Sequence, residues 1–275
     1  MRIGLVITND VIKKYEITEL RNLIKSNFEI TYIFSEKKEL NKKFKIFKIL
    51  NSIVKNRFFY LIYLEQKLSS YFKKDISYFE KLKDLEKNIN IFDEFPKIKK
   101  IPKKNFECVK CNNRFTFSKE MINIIKKNCD ILILLGFNKI LHKEVLDITD
   151  YGILSFHTSN TNKYRGRPAA FNEFINNEKF GGVTLQLLSK EIDSGLIVNQ
   201  RDTEIENSKS FDETLYRMMC LKSDVLLEGL KKIKNNEKFL KPKNESKYST
   251  FANSRKLNKV FICLKKTINK RYLNR

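Results

Sequence analysis

The chain has 275 residues, of which 41% are hydrophobic, so it can bury one sizeable core. Its net charge of +23 is concentrated in two segments, because residues 36–104 hold 19 basic against 9 acidic residues and residues 231–275 hold 15 against 2. The odd number of cysteines argues against a disulfide framework, and the longest apolar runs are too short to span a membrane. We therefore expect a cytoplasmic protein with a neutral body and two basic appendages.

The first elements along the chain predict a parallel sheet. Ile3–Thr8 has the apolar pattern of a short buried strand and not of a signal peptide. Ile17–Ser26 is predicted to be a helix and Glu29–Phe34 a second strand. Such a βαβ opening is typical of α/β folds with a mostly parallel sheet.

Residues 36–104 interrupt this alternation. Apolar residues recur there at helical spacing among lysines, which predicts a basic helical insertion that covers the body or lies on a membrane surface. Within it, Asn90–Phe92 is predicted to be a short strand and residues 96–104 a loop. The apolar positions are Phe44, Phe47, Ile49, Ile53, Val54, Phe58, Leu61, Ile62, Leu64 and Leu68.

The α/β pattern resumes after the insertion. Ser118 is expected to cap a helix over Met121–Lys127, and Asp130–Leu135 to form a strand that is buried on both faces. A helix near Lys143–Ile148 and a strand at Ile153–Phe156 follow.

The last hundred residues are expected to complete the sheet and add a tail. Val183–Leu188 and Leu196–Gln200 are predicted antiparallel strands, and a long helix runs from Ser210 to about Ile233. In the tail, Leu257–Leu273 has one apolar helical face, which predicts either a helix docked on the body or one on a membrane surface. We expect a catalytic domain over residues 1–207, and a helix, a basic linker and this tail over residues 208–275.

One histidine and one aspartate are placed to form a catalytic pair. His157 ends the predicted strand at Ile153–Phe156, and Asp193 lies in an Asp-Ser-Gly turn before another apolar run. A histidine and a carboxylate that meet at strand ends can act as a general acid/base pair. Because the two are 36 residues apart, the fold and not a helix must bring them together.

The segment from residue 151 to residue 198 resembles the catalytic half of the formyltransferases that use 10-formyltetrahydrofolate. That family's pattern runs Asn-x-His-x-Ser-Leu-Leu-Pro-x-x-x-Gly, then Gly-Val-Thr, then Asp-x-Gly-x-Ile. Ser155 stands where the family has Asn, and Asn160–Asn162 stand where it has Leu-Leu-Pro. The matching positions are His157, Ser159, Gly166, Gly182, Val183, Thr184, Asp193, Gly195 and Ile197.

The resemblance implies a Rossmann-like sheet of the formyltransferase type and a set of site residues. His157 and Asp193 would transfer protons and polarise the formyl group, with Ser155 at the position that helps to hold it. The loop with Leu135, Gly136, Phe137, Ile140 and Leu141 would contact the folate cofactor. Ser159, Arg165, Gly166 and Arg167 would lie beside the second substrate, where the arginines either bind a phosphate or pair within the loop.

By the same resemblance, the expected function is N-formyl transfer from 10-formyltetrahydrofolate to an amine of a small anionic metabolite, such as an amino-sugar nucleotide. The loop at Thr8–Asp10 is not glycine-rich, which disfavours glycinamide ribonucleotide as the acceptor. The tail lacks the barrel-domain pattern of the methionyl-tRNA enzymes, which disfavours tRNA. The alternatives are a repurposed, non-catalytic member that binds a ligand or an anionic surface, and hydrolysis of the formyl donor.

Two further features leave alternatives open. Cys108 and Cys111 form a lone CxxC motif without a second pair of ligands, so no metal site is predicted. The basic appendages indicate a polyanionic partner, among which an anionic membrane surface is favoured over nucleic acid, or else reflect a lysine-rich codon bias.

Overall fold

A nine-stranded sheet lies at the centre of the protein in this computed structural model, which describes residues 1–37, 61–62, 64–65, 78–222, 224–243, 247–249 and 256–272. Five parallel strands run side by side in the order β5-β3-β1-β8-β9, and β11 and β12 follow as antiparallel strands. The short strands β2 and β4 attach at the end of β1. The strands within the described residues are β1 (Arg2–Thr8), β2 (Val11–Lys13), β3 (Glu29–Glu36), β4 (Asn88–Asn90), β5 (Lys103–Phe106), β6 (Val109–Cys111), β7 (Arg114–Thr116), β8 (Ile131–Leu134), β9 (Ile153–His157), β10 (Tyr164–Gly166), β11 (Phe180–Leu187), β12 (Leu196–Glu204) and β13 (Lys247–Ser249).

Helices cover both faces of this sheet. Serine side chains cap two of them: Ser118 accepts a hydrogen bond from the Met121 N–H at 3.2 Å, and Ser210 accepts one from the Glu213 N–H at 3.3 Å. Short 3₁₀ turns lie at Lys14–Glu16, Pro96–Lys100, Lys143–Val145 and Cys220–Lys222. The helices are α1 (Ile17–Lys25), α2 (Tyr78–Leu85), α3 (Ile91–Glu94), α4 (Lys119–Asn128), α5 (Phe171–Ile175), α6 (Phe211–Met219), α7 (Val225–Lys234) and α8 (Leu257–Tyr272).

The core is split by the sheet into two layers. Ile3 and Leu5 of β1 face a cluster that includes residues of α1 and α7, whereas Val6 faces a second cluster with residues of α4. All four residues of β8 are buried, as the uninterrupted apolar run predicts for a central parallel strand. Each such side chain contributes about 1.5–3 kcal/mol when it is fully buried.

The order of the strands fixes where a ligand can bind. The chain passes from β1 to β3 on one side and later returns to β8 on the other side of β1. In open parallel sheets, the loops that leave the strands diverge at such a switch point and leave a crevice at the carboxyl ends. His157, the last residue of β9, lies at this edge.

The structure corrects the prediction for residues 36–104. Strands β4 and β5 belong to the central sheet, and β5 pairs with β3 in parallel where a loop was predicted. The sequence signal was weak because Lys103–Phe106 lies at an edge of the sheet and buries only its last residue. Most of the predicted apolar helical stretch lies outside the described residues; within them, Ile62 is buried, and Leu61 and Leu64 are exposed.

Two predicted helices are also shorter than expected. The helix from Ser210 is interrupted by the turn at Cys220–Lys222, and Asp224 has a left-handed conformation with a φ of 67°. The break gives α7 a new direction and lets it pack against α1. Residues 143–148 contain only the 3₁₀ turn at Lys143–Val145.

The C-terminal helix docks on the body. Val260, Cys263 and Thr267 of α8 are buried at 0, 0 and 3% exposure, and the first two belong to an apolar cluster with Phe171 and Phe174 of α5. One strand of the tail, β13, pairs in parallel with β10. Of the two predicted modes for the tail, docking is therefore the one that the structure contains. None of the helices in the described part of the chain is long and apolar enough to cross a bilayer.

Candidate active site

A cleft of about 450 Å³ opens at the carboxyl ends of β8 and β9. Its walls come from three places: the loop after β8, the end of β9, and the turn between β11 and β12. Arg114 of β7 closes one side and donates a hydrogen bond to the Leu141 carbonyl. The cleft is lined by Arg114, Leu134, Phe137, Asn138, Lys139, Ile140, Leu141, Leu146, Ser155, Phe156, His157, Gly166, Arg167, Leu188, Ser189, Lys190, Glu191, Ile192 and Asp193.

The predicted histidine and aspartate meet in this cleft. The Nδ1 atom of His157 lies 3.5 Å from Oδ1 of Asp193, and both residues line the cavity. Asp193 occupies the left-handed region with a φ of 53°, which turns its carboxylate back towards β9. The separation is longer than a normal hydrogen bond, so the carboxylate contacts the imidazole without a fully formed bond.

Two groups hold the Asp193 carboxylate in place. The backbone N–H of Gly166 donates to Oδ2 at 3.0 Å, and Nε2 of Gln186 donates to Oδ1 at 3.3 Å. Gln186 also accepts a hydrogen bond from the Gly195 N–H at 3.2 Å, so its buried amide joins both ends of the turn. Gln186 is not among the residues predicted from the sequence. Its alternating position on β11, opposite Ser155, was the only signal that could have indicated it.

The imidazole of His157 is suited to accept a proton. Burial lowers the pKa of His157, and the nearby charges of Lys222 and Arg167 lower it further, whereas Asp193 acts in the opposite direction. The ring is therefore neutral at neutral pH. Its Nε2 atom is buried and has no hydrogen-bond partner among the described residues. A neutral imidazole with one nitrogen towards a carboxylate and the other unpaired in a cleft can act as a general base.

Ser155 lies at the expected place on the cleft wall, two residues before His157 and opposite Gln186 on the neighbouring strand. Neither nearby asparagine replaces the missing carboxamide. Asn160 is 3.2 Å from the carboxylate of Asp202, and Asn162 accepts a hydrogen bond from the backbone N–H of Lys243. Both amides are engaged away from the cleft.

The predicted cofactor loop divides into two parts. Phe137, Ile140 and Leu141 line the cleft, as a loop that contacts a ring system should. Leu135 is fully buried in the core, so its side chain cannot contact a ligand in the cleft. Gly136, with a φ of 61°, donates its N–H to Oε1 of Glu16 at 3.1 Å. These two residues anchor the loop behind the residues that line it.

Of the residues predicted to lie beside the second substrate, some line the cleft and others do not. Arg167 is exposed at the cleft, and Gly166 lines it. Ser159 is 3% exposed and donates to the buried carboxyl of Glu173, whose pKa is raised to about 7, chiefly by burial. That bond fixes the loop after His157 on α5. Arg165 is half-buried and is not part of the cleft wall.

Two lysines near the cleft were not predicted. Lys139 lines it and forms an ion pair with the buried carboxylate of Glu36 at the end of β3. Lys222 is 4% exposed, and its Nζ atom lies 4.2 Å from the ring centroid of Tyr15 and 5.3 Å from that of Phe156. Both depend on contacts between distant segments, which a single sequence does not display.

The CxxC pair forms part of a small hairpin, β6 and β7, beside the cleft. Cys108 and Cys111 are free thiols, and burial raises the pKa of Cys108 to about 12, which disfavours the thiolate that a metal requires. Across the residues that the structure describes, no group of three or more His, Cys, Asp or Glu side chains is placed to hold a metal ion.

Comparison with known proteins relates about half of the chain to one family. Residues 94–230 match the model of the family described as formyl transferase. The methionyl-tRNA formyltransferase of Thermotoga neapolitana is 33% identical over 135 residues, which are 49% of this chain and 43% of that protein. The enzyme of the same name from Fusobacterium nucleatum is 30% identical over 45% of this chain and 39% of its own length. The chain thus matches less than half the length of these curated relatives.

Solved structures share the fold. The N-formyltransferase from Helicobacter canadensis, crystallised with folinic acid and dTDP-3-aminofucose, aligns with a TM-score of 0.57 at 14% identity over 99% of this chain and 82% of that one. A phosphoribosylglycinamide formyltransferase from Anaplasma phagocytophilum aligns with a TM-score of 0.55 at 14% identity, over 91% of this chain and 98% of the other. At these identities the alignments establish the architecture alone. Residues 94–230, just under half of the chain, therefore match the formyl transferase family, and the chain shares the fold of the solved formyltransferases.

Proposed function

We propose that the cleft binds 10-formyltetrahydrofolate and that the protein transfers its formyl group to an amine. The observation that carries the proposal is the neutral His157, whose Nε2 atom has no partner in the described structure, held beside the fixed carboxylate of Asp193 in the cleft wall. The apolar lining by Phe137, Ile140 and Leu141 suits a flat pterin ring. The folinic acid bound by the Helicobacter canadensis enzyme supports this choice of cofactor.

The reaction assigns a role to each of these residues. The amine attacks the formyl carbon, and His157 takes the proton that the nitrogen loses. Asp193 stabilises the imidazolium that results. The bond between the formyl carbon and N10 of the folate then breaks, and His157 returns the proton to N10. Ser155 contributes a hydroxyl donor for the developing oxyanion, in place of the carboxamide that the family pattern has there.

The proposed acceptor is a small anionic amine of the amino-sugar nucleotide class. The exposed guanidinium of Arg167 at the cleft offers a bidentate contact for a phosphate. The amino-sugar nucleotide bound by the Helicobacter canadensis enzyme supports the same class. Methionyl-tRNA, the acceptor that the names of the curated relatives indicate, is the second candidate, because their sequences match this chain over residues of the same domain.

The test is an assay with 10-formyltetrahydrofolate and purified full-length protein, in which N-formylated product and released tetrahydrofolate are both quantified. The acceptor panel contains dTDP-linked amino sugars, glycinamide ribonucleotide and methionyl-tRNA. Formylation of an amino-sugar nucleotide that is lost in His157→Asn and Asp193→Asn, with both variants still folded, supports the proposal. His142→Asn, in the loop after the cofactor segment, is the matched control and should retain activity.

Other outcomes separate the alternatives. Release of tetrahydrofolate and formate without any acceptor would identify a hydrolase that uses the same pair. Absence of turnover together with thermal stabilisation by the folate would identify a binding protein. Near-normal turnover in either variant of the catalytic pair would overturn the assignment. We place this activity in the cytoplasm.

A further inference from the structure

The C-terminal helix α8 has two apolar faces, of which one is buried against the body and the other is exposed in the part of the chain that the structure describes. Val260, Cys263 and Thr267 face the body and are buried. On the outer side, Phe261 and Ile268 are 57 and 44% exposed. A helix that only docked on the body would carry polar residues on its outer side.

The outer side is apolar over several turns. Leu257, Phe261 and Ile268 follow one another at helical spacing, and Ile262, 48% exposed, widens the row. Leu61 and Leu64, exposed at 39 and 49%, flank Ile62, whose buried side chain belongs to the same cluster as Val260 and Cys263. These six exposed side chains form what we call the outer apolar surface.

The charge of α8 is entirely positive. Residues 256–272 contain lysines and an arginine but no aspartate or glutamate. Lys266 and Lys270 point to the body, where they donate to the carbonyl oxygens of Phe174 and Glu206. Lys265 is exposed and lies within one turn of Phe261, Ile262 and Ile268. The cation is therefore set within the outer apolar surface.

We propose that the outer apolar surface binds the anionic face of a lipid bilayer, with α8 parallel to the membrane plane. In that position, Phe261 and Ile268 enter the boundary between headgroups and acyl chains, and Lys265 extends its aliphatic stem so that its ammonium reaches the phosphates. Each lysine near an anionic surface adds attraction that salt screens. The proposal does not depend on the reaction catalysed at the cleft.

Other occupants fit the surface less well. A symmetric second copy would bring Lys265 of one chain towards the lysines of the same helix in the other, where like charges repel. Nucleic acid would meet the lysines but would leave the aliphatic Leu257, Ile262 and Ile268 against phosphates and water. A bilayer satisfies the apolar and the cationic groups together.

The test uses the absence of tryptophan from the chain. Phe261→Trp introduces a single reporter on the outer apolar surface, and Leu240→Trp introduces one at another site that is 76% exposed. Vesicles of phosphatidylglycerol and phosphatidylcholine in equal parts should shift the emission of the first variant to shorter wavelength and leave the second unchanged. Vesicles of phosphatidylcholine alone, or high salt, should give a much smaller shift.

Cosedimentation with the same vesicles measures the contribution of each residue in the otherwise unchanged protein. Phe261→Ser should lower the partition coefficient by about tenfold, as the loss of one buried aromatic side chain predicts. Lys265→Glu should lower it as well, whereas Leu240→Ser and the exposed Lys99→Glu should not. Because all four positions are exposed, the variants should melt at the wild-type temperature.

Three results would overturn the proposal. The first is no emission shift and no sedimentation of the wild-type protein with anionic vesicles. The second is equal binding to neutral and anionic vesicles. The third is a concentration-dependent dimer that Phe261→Ser abolishes, which would assign the outer apolar surface to a second copy of the chain.

Discussion

The hydrogen bond from Gln186 that holds the Asp193 carboxylate gives the sharpest test of the site. Gln186→Met keeps the length of a buried side chain but removes a 3.3 Å hydrogen bond to a carboxylate and the acceptor for the Gly195 N–H at 3.2 Å. A hydrogen bond to a charged group contributes about 1.5–3 kcal/mol, and an unsatisfied buried N–H costs about 1–3 kcal/mol. We therefore expect the free energy of unfolding, measured by urea denaturation, to fall by about 2.5–6 kcal/mol.

The same change should affect turnover more than binding. Gln186 does not line the cleft, so KM for the folate should stay close to the wild-type value. With the carboxylate free to move away from His157, kcat should fall by about tenfold to a hundredfold. Gln200→Met on the neighbouring strand is the matched control, because its amide bonds the carboxylate of Asp202 outside the cleft. Equal losses of kcat in the two variants, or an unchanged kcat in Gln186→Met, would refute the positioning role.

Three further predictions concern the charges and donors around the site. Ser155→Asn should preserve or raise formyl transfer, measured as kcat/KM, because it restores the carboxamide of the family pattern; a marked loss would show that the site is built around the serine. Arg167→Gln removes a charge that lowers the pKa of His157, so the acidic limb of the pH–rate profile should move to higher pH. Burial raises the pKa of Glu19 to about 8, so the folded state retains a proton that the unfolded state loses near pH 4.5. The free energy of unfolding should therefore fall as the pH rises from 4.5 to 8. Glu19→Gln should remove that fall, so above pH 8 the variant should have a free energy of unfolding, measured by urea denaturation, that is higher than that of the wild type by on the order of a few kcal/mol.

The parts of the fold that could be predicted are those with a local signal. The strand at Ile131–Leu134 is an unbroken apolar run, and the pair at Phe180–Leu187 and Leu196–Glu204 flanks a recognisable turn. A strand that is buried on both faces has a continuous apolar sequence, and one that is buried on a single face has an alternating sequence, so the pattern lies within the strand itself. His157 and Asp193 could be found for the same reason, since each stands directly beside such an element.

The parts that could not be predicted depend on pairing at a distance. Strand Lys103–Phe106 is recognisable only through its parallel register with Ile33–Glu36. Gln186 is a polar residue in a buried strand, and its role follows from the turn that folds back over it. The helix break before Asp224 contains no proline or glycine to indicate it, and α7 packs on α1 after the break. In each case the local sequence has no clear preference, and tertiary contacts determine the structure.

A buried network behind the cleft contributes to the neutral state of the histidine beside a carboxylate. Burial is the main cause that lowers the pKa of His157, and the nearby charge of Lys222, which lies against the rings of Tyr15 and Phe156, lowers it further. Burial lowers the pKa of Lys222 itself, and the carboxylate of Glu16 acts against that shift. Both carboxylate oxygens of Glu16 also accept backbone hydrogen bonds, one from the N–H of Lys13 at 2.9 Å and one from the N–H of Gly136 at 3.1 Å.

One carboxylate therefore serves two purposes, since it acts on the charge of Lys222 and fixes the loop after β8 that lines the cleft. Glu16 lies outside residues 94–230, the segment that matches the family model. The electrostatic environment of His157 is accordingly not set by the matched segment alone. It also depends on the connection between β1 and α1, because the 3₁₀ turn at Lys14–Glu16 contacts the turn at Cys220–Lys222.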